Sequence, residues 1–315
     1  MENNDGLGLE PSASAEQDFT VGALDLVTRT LKVWVRKLPS YIMIVGLVGV
    51  AYGLLQFAVF YALYGLLAFD LLIYVSSDII TTLLGFATAE PVLAIEIITI
   101  AIVLAVVGMV VNAVIAGGGI KFALDDYGSH QADVGTSLSF AFSRLSTMIV
   151  AQFLLTLIIS GAMAPGLFLL FGSLAAIDPF NPSMEAISAM MSGLAILGVG
   201  AIVALYFGIR LAPTSAVVVA EDLGAIDSMK RAWELTTGNF WHIFGGQILL
   251  GIAVAIIGLV PGMLVAPLAF YGLAVTLYIS ALISALLFSA ISYVFAAVLY
   301  RDLESRSRVV SQEYW

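Results

Sequence analysis

Charge is missing from long stretches of this chain, and that absence sets what it can fold into. Residues 41–69 contain no charged side chain over 29 positions, and residues 97–120 and 145–177 are likewise uncharged. Between Phe240 and Tyr300, His242 is the only ionisable residue besides tyrosines. An apolar helix of ~20 residues crosses the ~30 Å hydrocarbon core of a bilayer. The runs therefore predict six spans: 41–69, 97–120, 148–171, 186–209 and two within 240–300. Overall, 61% of residues are hydrophobic and 11% charged, where a soluble domain carries about 25% charged residues. Lipid must be the solvent, and a backbone in lipid has to satisfy its own hydrogen bonds. The expected fold class is an all-α polytopic membrane protein.

Several chemistries are excluded early. The net charge is −10 with 12 basic residues, too few and too dispersed for the dense cationic patch that nucleic acid needs. There is no cysteine, so disulfides, thiolate nucleophiles and cysteine metal sites are out. His130 and His242 lie far apart and outside any zinc-binding spacing. No Gly-x-Ser-x-Gly, phosphate-binding loop or deep pair of carboxylates occurs. No catalytic residue, cofactor or metal is expected.

Three segments break the apolar pattern with helical amphipathicity. In residues 19–38, Leu24, Val27, Leu31, Trp34, Val35 and Leu38 share one arc, and Asp25, Arg29, Lys32 and Arg36 share another. Such a helix fits the membrane interface, and it equally fits packing on its own protein. In the second, Val134, Leu138, Ala141, Phe142 and Leu145 face one way and Ser139, Ser143 and Ser146 the other. In the third, residues 223–237, Ile226, Met229, Ala232 and Trp233 oppose Asp227, Lys230, Arg231 and Glu234. Gly238 is placed as the residue just past that helix. Residues 121–133 read as a polar loop, 211–220 as an extended connector, and Asp178-Pro179-Phe180-Asn181-Pro182 as an outer turn. Residues 70–90 suggest a short outer helix. Gly117-Gly118-Gly119 is expected to loosen the second span, and Pro165-Gly166 to break the third. Pro261-Gly262 and Pro267 are expected to mark the last outer turn. Gly49 and Gly53 suit an internal helix contact before a dimer contact.

With six spans, all 12 basic residues fall on one side of the membrane. By the positive-inside rule both termini are then cytoplasmic, in a multi-pass protein of the cell membrane. The amphipathic helices also suggest a threefold repeat of interfacial helix, span, outer loop and span, as units 19–124, 133–212 and 222–303. Gly22-Ala23-Leu24-Asp25 with Arg29 matches Gly224-Ala225-Ile226-Asp227 with Arg231 at identical spacing. Residues 1–18 read as a disordered acidic tail, 19–303 as the membrane domain, and 304–315 as a cytoplasmic tail.

Polar groups inside a bilayer are costly and carry a functional expectation. They are Glu96, Asn112, Gln152, Arg210 and Gln247, although amides also simply bond across helices. The candidate surface for lipid or a membrane or cytoplasmic protein partner is Arg29, Lys32, Arg36, Lys230, Arg231 and Trp233. His242, beside Trp241, reads as an interfacial anchor.

The stretch Arg210-x-x-Pro213, Val217-Val218-Val219-Ala220-Glu221-Asp222-x-Gly224-Ala225-x-x-Ser228-x-x-x-Ala232-Trp233-x-Leu235-Thr236-x-Gly238-x-Phe240-Trp241 carries the most specific pattern. With the closing Val298-Leu299-Tyr300-Arg301-Asp302-Leu303, it resembles the membrane domain found beside some bacterial glycerophosphoryl diester phosphodiesterases. That domain also occurs alone in prokaryotic membrane proteins. The resemblance implies a six-helix membrane module, without the separate catalytic barrel and its activity. The expected function is a non-enzymatic membrane scaffold or accessory module at the cytoplasmic lipid interface. The alternative is a small-solute transporter or permease, which requires the intramembrane polar residues to converge on a water-accessible cavity. A membrane-embedded lipid enzyme ranks third, with Glu221, Asp222, Asp125, Asp126 and His130 as its only available groups.

Overall fold

A computed structural model describes residues 19–71, 91–129, 131–176, 183–271 and 273–313. The expectations for the acidic tail, for residues 72–90, for the turn at 178–182 and for His130 fall on or largely on residues outside those described. Among the described residues every regular element is helical. Six helices are long and apolar enough to cross a membrane: Leu38–Ala62, Pro91–Ser129, Leu145–Ser173, Met184–Glu221, Phe240–Phe270 and Thr276–Arg308. The protein is an all-α integral, multi-pass membrane protein. Its spans carry broad apolar outer surfaces, with Phe168 and Ile202 among the exposed side chains, as lipid contact requires.

In chain order, α1 is Ala23–Arg36, α2 Leu38–Tyr41, followed by a π-helical turn at Ile42–Gly46, and α3 Leu47–Leu71. Then come α4 (Pro91–Ser129), α5 (Val134–Ser143), α6 (Leu145–Ala176) and α7 (Met184–Arg210). The chain ends with α8 (Thr214–Glu221), α9 (Ala225–Thr236), α10 (Phe240–Val265), a 3-10 stretch at Ala266–Tyr271, α11 (Leu273–Phe288) and α12 (Ile291–Glu313).

Five local expectations are corrected, the first four because packing overrides a sequence signal. Residues 121–129 are helix, not loop. With 39 residues, α4 reaches roughly 58 Å, well beyond the bilayer core. Phe122, Ala123, Leu124 and Asp126 are buried on that extension, and Lys121 pairs with Asp125 one turn on (2.7 Å). The glycine triplet does not loosen α4; it admits neighbours. A Cβ at Gly117 would stand 3.2 Å from the Ala141 Cβ, at Gly118 3.1 Å from Ile44, and at Gly119 3.0 Å from Val45.

Residues 214–221 form α8 despite the β-branched run, because Val217, Val218 and Val219 are all buried. Intrinsic helix propensity is a weak prior against such burial. Asp222 then stops α8 in the left-handed region (φ 57°). Pro165 sits inside a continuous α6. A Cβ at the next residue, Gly166, would run into the Leu197 backbone, and one at Gly200 into the Ala162 carbonyl. Small residues thus let α6 and α7 approach backbone to backbone, the mode by which membrane helices associate. Pro261 is likewise inside α10, so the turn comes later, around the 3-10 stretch that holds Pro267. Gly238 lies where expected past α9, with φ +81°, a conformation that glycine adopts without strain.

The sixth span is interrupted between α11 and α12. The Leu287 carbonyl at this break accepts a hydrogen bond from the Trp34 indole N–H (3.2 Å). The core gathers where α1, α2, α4, α8 and α12 meet, around Leu26, Tyr41, Ile44, Phe122, Ile291 and Leu299.

Candidate functional site: the basic face of the bundle

The residues flanking α1 fix its position. At one end the Val21 N–H donates to Asp302 on α12 (2.8 Å); at the other, Trp34 donates to Leu287. Residues 21–34 and 287–302 each cover roughly 20 Å at the helical rise, so α1 runs antiparallel beside α12. Its buried face is Leu26, Val27, Thr30, Val33 and Trp34, while Leu24 (66%) and Val35 (60%) are exposed. The expected apolar arc is therefore split, because α1 presents one side to the bundle and another outward. The hydrogen bonds of Val21 also put the start of the described chain and the α12 extension on the same face.

Three ties close this face in the same manner. In each, a basic side chain near the start of one span meets an aspartate near the end of the next. Arg36 bonds the Asp126 carboxylate (2.8 Å) and its backbone carbonyl (3.1 Å). Arg144 pairs with Asp222. His242 Nε2 lies 2.9 Å from Asp302 Oδ2. The His242 expectation changes accordingly, from an anchor facing lipid to a partner of a buried carboxylate. Asp126 and Asp302 are fully buried, and a carboxylate in that setting persists as an ion only when paired and hydrogen-bonded. Asp302 is the most heavily served, since Arg306 also bonds both of its oxygens (3.1 and 3.0 Å) and the Val21 carbonyl.

Most of the predicted basic surface is committed to such contacts. Arg29 donates to the Tyr127 hydroxyl (2.9 Å). Arg231 spans both Glu221 oxygens (3.2 Å each), and the Tyr300 hydroxyl donates to the same carboxylate (3.0 Å). Partial burial would lower the Arg231 guanidinium, but its hydrogen bonds and charge contact with Glu221 outweigh that and push it up. Lys230 is exposed and, among the described residues, its ammonium pairs only with Asp227 on its own helix (3.2 Å). Lys32 is exposed on the outer side of α1. There, Thr28, Leu31, Lys32, Val35 and Arg36 line a shallow groove of about 490 Å³.

Trp233 lies under Arg210, whose guanidinium carbon is 4.2 Å from the ring centroid. That contact is part of an aromatic belt. Tyr206 stacks on Phe240 (5.7 Å) and meets Trp233 edge-on (5.9 Å), and Phe240 meets Trp241 (5.4 Å). Trp241 is 76% exposed. Aromatic belts of this kind settle at the headgroup level of a bilayer. Arg210 also reaches Thr237 (3.1 Å), and its carbonyl accepts from Thr236 (3.0 Å), so it ties α7 to the end of α9.

Of the intramembrane polar residues, two converge. The Asn112 amide donates to Gln152 (3.1 Å), and the Tyr293 hydroxyl donates to Asn112 (3.0 Å). This joins α4, α6 and α12. Counting back from Lys121, Asn112 lies roughly 13 Å along the helix, close to mid-bilayer if Lys121 marks the boundary. Glu96 is exposed on α4, Gln247 is half-buried on α10, and Arg210 belongs to the aromatic belt; none of the three joins the pair. The five do not form one constellation.

Sequence reasoning missed the pairing of Asp126, Asp222 and Asp302 with Arg36, Arg144 and His242, and it missed Tyr127, Tyr293 and Tyr300 as polar partners. One signal was available: Leu124-Asp125-Asp126-Tyr127, Ala220-Glu221-Asp222-Leu223 and Tyr300-Arg301-Asp302-Leu303 all place an aspartate at the end of an apolar run. No family model, no curated protein and no solved structure matches this chain.

Proposed function

We propose that this protein is a non-enzymatic membrane scaffold or accessory module whose α1 engages lipid at the cytoplasmic leaflet. The reading rests on one observation: α1 is fixed to the bundle along one side and presents Leu24, Val35 and Lys32 outward on the other. An apolar strip beside an exposed ammonium suits acyl chains below and an anionic headgroup above. Arg36, Arg144, Arg231 and His242 on this face tie helices together. The direct Asn112–Gln152–Tyr293 link favours a helix tie over a transport passage. The positive-inside rule assigns this face to the cytoplasm, and the three matching ties support reading the bundle as three related hairpins, the second extending to Asp222. The likeness to the phosphodiesterase-associated membrane module is retained as part of this reading.

The test is lipid retention by purified full-length protein, measured by native mass spectrometry after extraction from vesicles of mixed anionic and zwitterionic lipid. A basic side chain near an anionic surface contributes about 1 kcal/mol. Lys32→Gln should therefore lower retained anionic lipid roughly fivefold, and Leu24→Ser with Val35→Ser should lower total retained lipid. A lipid complement unchanged in both variants would overturn the reading. Solute flux in proteoliposomes, lost on Asn112→Ala, would replace it with a transporter.

A further inference from the structure

A cleft of about 550 Å³ opens on the basic face, away from the outer side of α1. Its walls come from three parts of the chain. Glu234 and Leu235 lie at the end of α9, Thr237, Gly238 and Asn239 in the following turn, Arg306 and Ser307 on α12, with Thr20 at the rim. The volume is in the range of sites that hold small organic ligands.

Its charges are separated by wall. Glu234 stands on the α9 side, and among the described residues its carboxylate has only a long contact with Arg231 (3.5 Å). Arg306 stands on the α12 side. Its Nε and one terminal nitrogen are fixed by Asp302 and the Val21 carbonyl, so the guanidinium is held in place, with its other terminal nitrogen uncommitted among the described residues. Neutral hydrogen-bonding groups line the space between: Asn239, Thr237 and Ser307. A simple anion would meet Glu234 and a simple cation would meet Arg306. A ligand carrying both charges satisfies both walls. The turn that lines the cleft runs directly into Phe240 and the exposed Trp241 of the aromatic belt, which sets the opening at headgroup depth.

We propose that this cleft binds the headgroup of a zwitterionic phospholipid bearing a primary ammonium, with the phosphate on Arg306 and the ammonium on Glu234. The inference depends on this face meeting a leaflet, as in the proposed function, but uses different residues from the α1 surface. A carboxylate accepts hydrogen bonds from –NH₃⁺ and none from a trimethylated nitrogen. The site should therefore separate phosphatidylethanolamine from phosphatidylcholine, where a general interfacial surface would not.

The experiment places the full-length protein in nanodiscs containing equal phosphatidylethanolamine, phosphatidylcholine and phosphatidylglycerol and reads the lipids retained by native mass spectrometry. A parallel arm adds free phosphoethanolamine to protein in detergent. Wild type should retain phosphatidylethanolamine over phosphatidylcholine by roughly tenfold, the size expected of a hydrogen bond to a charged group. Glu234→Gln, an exposed change that leaves the Asp302 ties intact, should erase that preference. Glu234→Lys should shift retention toward phosphatidylglycerol. Binding of free phosphoethanolamine at the affinity of the lipid would reassign the site to a soluble ligand and overturn the lipid proposal. Equal retention of all three lipids, or a preference unaltered by Glu234→Gln, would overturn it outright. Loss of the Lys32 effect alone would instead refute the α1 reading and leave this one standing.

Discussion

The Arg36–Asp126 tie makes an asymmetric prediction about stability. Its members are placed differently: the Arg36 side chain is 38% exposed and that of Asp126 is 0% exposed, with 2.8 Å between them. Replacing Arg36 with Leu strands a carboxylate that water cannot reach. Its Oδ1 already lacks a partner among the described residues, as does the buried Tyr41 hydroxyl. Removing one member of a buried pair costs about 3–5 kcal/mol. Asp126→Asn, in contrast, leaves a guanidinium that can turn to solvent, and should cost about 1–2 kcal/mol. Combining Arg36→Leu with Asp126→Leu removes the stranded charge and should recover most of the loss from Arg36→Leu alone. The assay is reversible unfolding in mixed micelles of dodecyl maltoside and SDS, followed by fluorescence of the four tryptophans. If Arg36→Leu and Asp126→Asn destabilise equally, or the double variant is worse than Arg36→Leu, the premise that desolvation of Asp126 sets the energetics is wrong.

Two further outcomes follow from packing and capping. Gly200→Ala should destabilise by about 1–3 kcal/mol through collision with the Ala162 carbonyl. Gly208→Ala on the same helix has open space and should be neutral or stabilising by about 0.4–1 kcal/mol, so the same micelle unfolding compares the two. The Asp133 carboxylate is held below its usual range by the Thr136 backbone N–H and then the Thr136 hydroxyl, as it caps α5. A carboxylate depressed in the folded state contributes stability that is present above its ordinary titration range. That contribution disappears as the pH falls through the depressed folded value. Unfolding measured from neutral to strongly acidic pH should thus show an acid-side slope that is reduced in Asp133→Asn; an unchanged slope would exclude the cap as its source.

The amphipathic segments show how far sequence periodicity reaches. The helical arcs at residues 19–38 and 223–237 exist as α1 and α9. Their buried faces are Leu26-Val27-Thr30-Val33-Trp34 and Ala225-Ser228-Ala232-Leu235-Thr236, which differ from the arcs of largest side chains. Hydropathy ranks residues by transfer into oil. Packing selects by fit instead, and small residues such as Ala232 and Ser228 mark the side of α9 that faces protein. The same limit applies to the glycines. Gly117-Gly118-Gly119 and Pro165-Gly166 read as breaks because their local helix propensity is poor. In the bundle they are the places where neighbouring backbones come close.

By itself, the sequence determined the solvent, the helical class, the number of spans and the one-sided distribution of basic residues. These follow from composition over windows of ~20 residues, where the length of an apolar run is matched against a fixed bilayer thickness. Only the tertiary structure decided which basic side chain meets which carboxylate. Arg36 and Asp126 are 90 positions apart in the chain, and His242 and Asp302 are 60 apart. Pairings at such separations leave no local period. They depend on which helix ends come together, and that is fixed by close packing at Gly118, Gly166 and Gly200, by the break after α11 that receives Trp34, and by the burial that obliges each carboxylate to find a partner.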